Sequence, residues 1–106
     1  MQPQYMHQNA TATGAGKTAC TGGKTLHMIE VIVAGTGAIS VTVEPRWSVV
    51  NSAAGGGNLI STAQTVSGTD SASQTFTAEG AAEWISCPIT ALSGTGCTIT
   101  IAYKGA

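Results

Sequence analysis

The sequence predicts an all-β protein, a small antiparallel β-sandwich of about seven short strands. Three observations carry that prediction. Thr, Val, Ile and Gly dominate, and the apolar residues come in short runs or alternate with polar ones, the pattern of strands rather than helices. Turn-forming segments separate these runs at the spacing expected of a sandwich. A hydrophobic share of 42% with a net charge of −1 also argues against disorder for most of the chain.

Taken in order, residues 1–16 have no periodicity and read as an extended N-terminal arm. Residues 17–20 form a short strand, and Gly22-Gly23 turns the chain into the next one. Residues 25–33 are apolar on nearly both faces, as a central strand would be. A Gly-rich turn over 34–38 leads into 39–43, where Ile39, Val41 and Val43 share one face, so the two segments are expected to make a hairpin. Residues 51–58, with Gly55-Gly56-Gly57, read as a flexible loop. Residues 59–66 and 73–78 are weaker strands about a turn at Ser67 to Asp70.

The pattern is clearest towards the C-terminus. Ile85, Cys87 and Ile89 lie on one side of a strand over 84–90, in which Pro88 cannot donate a ladder hydrogen bond and so marks an edge or a bulge. Cys97, Ile99, Ile101 and Tyr103 share one face of a strand over 97–103. Gly94 and Gly96 are free to take positive φ between these strands, so a second hairpin is expected. With 106 residues, the chain suffices for one domain, residues 17–106, in a jelly-roll or immunoglobulin-like sandwich.

Charged residues make up only 8% of the chain, against an ordinary share of roughly 25%. Charged side chains keep isolated domains apart, so their scarcity favours a protein that works packed against others. Four basic residues in a near-neutral chain leave no electrostatic footprint for nucleic acid or an anionic membrane. No apolar run reaches the length of a helical span. The polar start Met-Gln-Pro-Gln-Tyr-Met-His lacks the pattern of a secretory signal, so synthesis in a cytoplasm is expected.

Two Gly-Lys-Thr triplets, at 16–18 and 23–25, invite a comparison with the phosphate-binding loop. That loop needs a glycine five positions before the triplet's own, and Thr11 and Thr18 stand there instead. A strand, not a helix, follows Thr25, so no nucleotide or other cofactor is expected. Glu30, Glu44, Glu79, Glu83 and Asp70 are scattered over strand ends and turns, and read as solvated rim charges rather than an acid–base pair. His7 and His27 have no neighbour at metal-ligand spacing, and no serine sits in a nucleophile elbow, so neither a metal nor a catalytic residue is expected. Cys20, Cys87 and Cys97 read as reduced thiols, a Cys87–Cys97 bridge being the alternative.

Four residues stand out as candidate partner contacts. Trp47 beside Arg46 follows the strand ending at Val43; a large apolar ring with a polar edge suits protein contact or sugar stacking, or else caps the core. Trp84, in a well-patterned strand, reads as core. Tyr5 and Met6 are the only bulky apolar residues between Met1 and Leu26, and such residues in a polar tail suit a groove on a neighbour.

The stretch from Gly35 to Glu44, and above all the ending from Ala82 to Ile101, an aromatic strand, a Thr-Ala-Leu-Ser-Gly-Thr-Gly segment and a Thr-Ile-Thr-Ile strand, resembles the small β-sandwich virion proteins of tailed bacteriophages. The resemblance covers residues 17–103. Pro45-Arg46-Trp47 departs from it, since an Asp-Gly turn and a Trp usually follow the Val-x-Val-Glu strand in those proteins. The resemblance implies a non-enzymatic virion component, with a capsid decoration or cement protein as the first expectation. Its partners would then be the major capsid protein or other virion proteins, in a symmetric array of homo-oligomers. A neck or tail accessory protein and a carbohydrate-binding module using Trp47 are the alternatives.

Overall fold

Every regular element in the computed structural model of this chain, which describes residues 3–49 and 57–106, is a β-strand. In chain order these are β1 (Gln4–Ala10), β2 (Ala19–Cys20), β3 (Leu26–Val43), β4 (Arg46–Ser48), β5 (Asn58–Leu59), β6 (Gln64–Glu79), β7 (Trp84–Ser86) and β8 (Ile89–Gly105). They form two four-stranded antiparallel sheets, ordered β1-β8-β3-β6 and β2-β7-β4-β5. The pairing is nested: β4 with β5, β3 with β6, β2 with β7 and β1 with β8.

The long strands cannot be straight. At roughly 3.3 Å per residue, a straight β3 would hold Val43 about 53 Å from His27. The chain from Val43 to Trp47 reaches at most about 14 Å. Yet the Trp47 ring lies edge-on to His27 with centroids 6.4 Å apart, and Pro45 and Ile29 line one groove. The far half of β3 therefore returns over its near half.

The bend falls where the register slips. Between Ala34 and Ala38, β3 advances four residues while β6 advances only from Ser71 to Thr69, and β8 shifts against β3 at the same level. Bulges let a sheet turn such a corner without losing its ladder. Gly94 shows how tight this corner is. Its φ is +130°, and a Cβ there would meet Cys97 Sγ at 2.7 Å and Ile39 Cγ2 at 2.8 Å. The Asp70 carboxylate ties two of the bent strands together by accepting from Gly37 N at 2.7 Å.

The two expected hairpins, 25–33 with 39–43 and 84–90 with 97–103, do not form. Both halves of β3 pair with the same neighbours, β6 and β8, instead of with each other. The glycine-rich segments bend the sheet because the flanking strands bend with them and keep the hydrogen bonds running. The expected turn at Ser67 to Asp70 likewise lies inside β6, and the expected strand over 59–66 divides into β5 and the start of β6. The loop expected over 51–58 lies outside the described residues as far as residue 56.

Prolines mark two passages between the sheets. Pro45 separates β3 from β4, and Pro88 separates β7 from β8. Neither can donate to a ladder, so the ladder breaks there. Their carbonyls still accept, Pro88 O from Glu44 N at 3.0 Å and Pro45 O from Ile60 N at 2.9 Å. One hydrophobic cluster holds Val31, Val33, Ile99, Ile101 and Tyr103 of the long sheet together with Ala19 and Ile85 of the short one.

Of the segment expected as an arm, Gln4–Ala10 is built into the long sheet as β1, along β8. A register shift between Tyr5 and His7 makes Met6 an extra residue. Met6 is 1% exposed and belongs to the core, while Tyr5 points outward at 46%.

Candidate functional site

Trp47 sits on β4 with its ring part-buried between two grooves. One groove, of about 220 Å³, has apolar walls from Ile29, Pro45, Ile60 and Phe76 and a polar rim of Ser61, Thr77 and Glu79. The other, of about 250 Å³, lies against Val49, Asn58 and Ala82. Val49 is the most exposed large apolar residue among those described, at 74%. The first groove runs beside the C-terminal half of β6, so apolar area and a strand edge adjoin.

Arg46 is committed within the chain. Its Nη2 lies 2.9 Å from Glu44 Oε1 and its Nη1 donates to Gly57 O at 2.9 Å. The guanidinium thus fixes the crossing from β3 to β4 and the approach to β5. Of the four residues the sequence singles out, Trp47 lines the grooves, and Arg46 beside it on β4 is turned to Glu44 and Gly57. Tyr5 lies on the outer face of the long sheet opposite Ala102, and Met6 is in the core. Trp84 is part-buried on β7 between Cys20 and Ser48.

The histidines are structural partners. His27 is fully buried, with Nε2 2.8 Å from Gly80 O and Nδ1 2.7 Å from Tyr103 Oη. A carbonyl only accepts, so Nε2 donates to Gly80 O, and in a neutral ring Nδ1 is then the acceptor of the Tyr103 hydroxyl. Burial, and secondarily the nearby Cys20, hold the Tyr103 phenol above its usual range, which keeps it a donor. His7 Nε2 donates to Cys87 O at 3.0 Å. Burial lowers the His7 pKa, and the bond to Cys87 opposes that more weakly.

The Gly-Lys-Thr triplets are also explained by the fold. Gly16, at φ +72°, packs against the His7 ring and Met6 O, where a Cβ has no room. Lys17 N donates to Met6 O and Lys24 N to Thr21 O, so these amides serve the chain's own carbonyls. The three cysteines are free thiols, and the alternative Cys87–Cys97 bridge is not formed. Among the described residues, no three His, Cys, Asp or Glu side chains converge as a metal site.

Sequence reasoning missed the groove beside β6, because Ile60 and Phe76 are sixteen positions apart and meet only after the sheet bends. It also missed β1. The available signal there was the pair Tyr5-Met6 in a polar segment, which reads equally well as a tail. What the site offers chemically is apolar area for a side chain next to a strand edge. Comparison of the chain with known protein families, curated proteins and solved structures finds no match.

Proposed function

We propose that this chain is a non-enzymatic structural protein of a tailed-bacteriophage particle, a capsid decoration or cement protein built on a jelly-roll β-sandwich. The nested pairing of the eight strands among the described residues carries the reading. A single long antiparallel hairpin, its ends paired outermost and its middle innermost, gives this strand order when wound into two layers. Jelly rolls of this kind serve viral capsid and lectin domains. Fold does not choose function, so the choice of a shell protein also leans on the surface. Scarce charge, exposed Tyr5, Ile32, Val49 and Leu59, and a groove beside a long strand edge suit a protein packed among others.

The partners are the major capsid protein or other virion proteins, and the chain acts in a symmetric array after synthesis in the host cytoplasm. Its mechanism is apolar burial at the Trp47 groove together with contacts along strand edges. Binding only the assembled shell stabilises that state by mass action. The test is quantitative mass spectrometry of gradient-purified particles from a phage that encodes the chain. A copy number proportional to the major capsid protein supports decoration. A few copies per particle would favour a neck or tail accessory protein, and absence from the particle would overturn the reading.

A second reading is favoured by one observation: Trp47 lines a groove whose rim is polar. A sugar ring stacking there would make the chain a carbohydrate-binding module. Glycan binding lost in Trp47→Ala would support it.

A further inference from the structure

The edges of the two sheets are not alike. β2 and β5, at the edges of the short sheet, have two residues each, too short to template another strand. β1 is broken by two register shifts and by Asn9 at φ +52°. β6 has sixteen residues and forms the other edge of the long sheet. Its sequence contains no Lys, Arg or Pro, and its two charges, Asp70 and Glu79, stand at the bend and at the end. Among the described residues, no strand pairs with its outer side. Such an edge normally carries a charge, a proline or a bulge against pairing, and between Ser71 and Ala78 this one has none.

We propose that a second copy of this chain pairs along the outer edge of β6, residues 71–79 of each copy running antiparallel about a two-fold axis at Thr75. The two long sheets become one continuous sheet, and the contact is isologous. This inference goes beyond the particle reading and does not depend on it.

The segment is self-complementary in this register. On the outer face Thr75 meets its own copy, and Ser73 meets Thr77; cross-strand Ser/Thr pairs of this kind are favourable. Ser73, Thr75 and Thr77 are all exposed, and so available. Glu79 falls opposite Ser71, so no like charges face each other. On the inner face Ala72 meets Ala78, and Gln74 meets Phe76. The two Phe76 rings then lie diagonally across the axis, about 7 Å apart at Cβ, within reach of each other. Phe76 is now only part-buried, at the wall of the Trp47 groove, and pairing would cover its remaining surface.

The test is sedimentation of the full chain across a concentration series, with two charged double variants. Ser73 pairs with Ile32 and Thr77 with Met28 on β3, so neither substitution directly faces a charge within its own chain. Glu30, opposite Thr75, is diagonal to both, and mixing the two variants controls for its effect. Wild type is expected to sediment as a dimer that dissociates on dilution. S73K/T77K and S73E/T77E each place two like-charge pairs across the axis and should raise the dissociation constant by about tenfold or more. Mixing the two variants creates two opposite-charge pairs and should restore the dimer. Circular dichroism of each variant verifies its fold, and hydrogen exchange should show concentration-dependent protection in 71–79 but not in 4–10. A wild type that is monomeric throughout, a dimer indifferent to both double variants, a mixture that fails to recover, or protection confined to β1 would each overturn the proposal.

Discussion

Tyr103 Oη and His27 Nδ1 lie 2.7 Å apart in the interior, joining β8 to β3. Their backbones are also close neighbours in the ladder, since Tyr103 pairs with Ile29. With Nε2 donating a hydrogen bond to Gly80 O, the Nδ1 of a neutral ring has the Tyr103 hydroxyl as its donor. Tyr103→Phe should therefore leave a buried acceptor without a partner and cost about 1–3 kcal/mol. Urea unfolding read by Trp fluorescence measures this. An unchanged midpoint would mean that the hydrogen bond contributes nothing.

The corner of the long sheet rests on Asp70, which has φ +64° and accepts from Gly37 N. Asp70→Asn keeps an acceptor and tolerance of that φ, and should change stability by a few tenths of a kcal/mol at most. Asp70→Ala loses both, and should cost about 1–2 kcal/mol. Equal effects of the two substitutions would refute the carboxylate's bridging role.

Burial of His7 makes stability depend on pH. The unfolded histidine titrates near 6.5 and the folded one lower, so between these values the unfolded chain binds more protons. Stability from this group is complete above the unfolded value and declines as pH falls through 6.5 towards the folded value. The urea midpoint should drop between about pH 7.5 and pH 5.5. His7→Gln, which keeps a donor for Cys87 O, should flatten the drop. An identical pH dependence in that variant would assign the effect to other groups.

The thiols should react in two classes. Cys20 is exposed, whereas Cys87 is buried and its pKa is pushed up to about 12 by desolvation. The thiolate is the reactive form, so iodoacetamide should label Cys20 in the folded protein and reach Cys87 only after unfolding. Peptide mapping after a timed pulse distinguishes the two. Labelling of Cys87 at the rate of Cys20 would mean that the region between the sheets opens readily.

Much of the fold was legible in the alternation of apolar residues. Of the seven segments expected from it, 25–33, 39–43, 73–78 and 97–103 each fall largely within one strand and 17–20 contains β2, whereas 59–66 and 84–90 each straddle two strands of different sheets. Ile39, Val41, Val43, Ile99 and Ile101 face the core as their period requires. What the corners do was not legible. Glycine at 35, 37, 94 and 96 permits a reversal and a bend equally, and the choice depends on whether neighbouring strands bend at the same level. β1 escaped notice because its bulge buries Met6 and His7 side by side, which erases the alternation a strand would otherwise display. Trp47 was legible as a candidate contact, but the groove around it depends on Ile60 and Phe76 being folded together. The commitment of Arg46 to Glu44 spans only two residues, yet spacing alone does not indicate it.

In the role proposed for it, this chain acts through what it packs against within a particle. A cryo-electron microscopy reconstruction of a phage that encodes the chain tests this most directly. We expect density for the two-sheet domain at symmetry-related positions on the shell, with the Trp47 groove facing a neighbour. A reconstruction at side-chain resolution in which every part of the particle is assigned to other chains would contradict it.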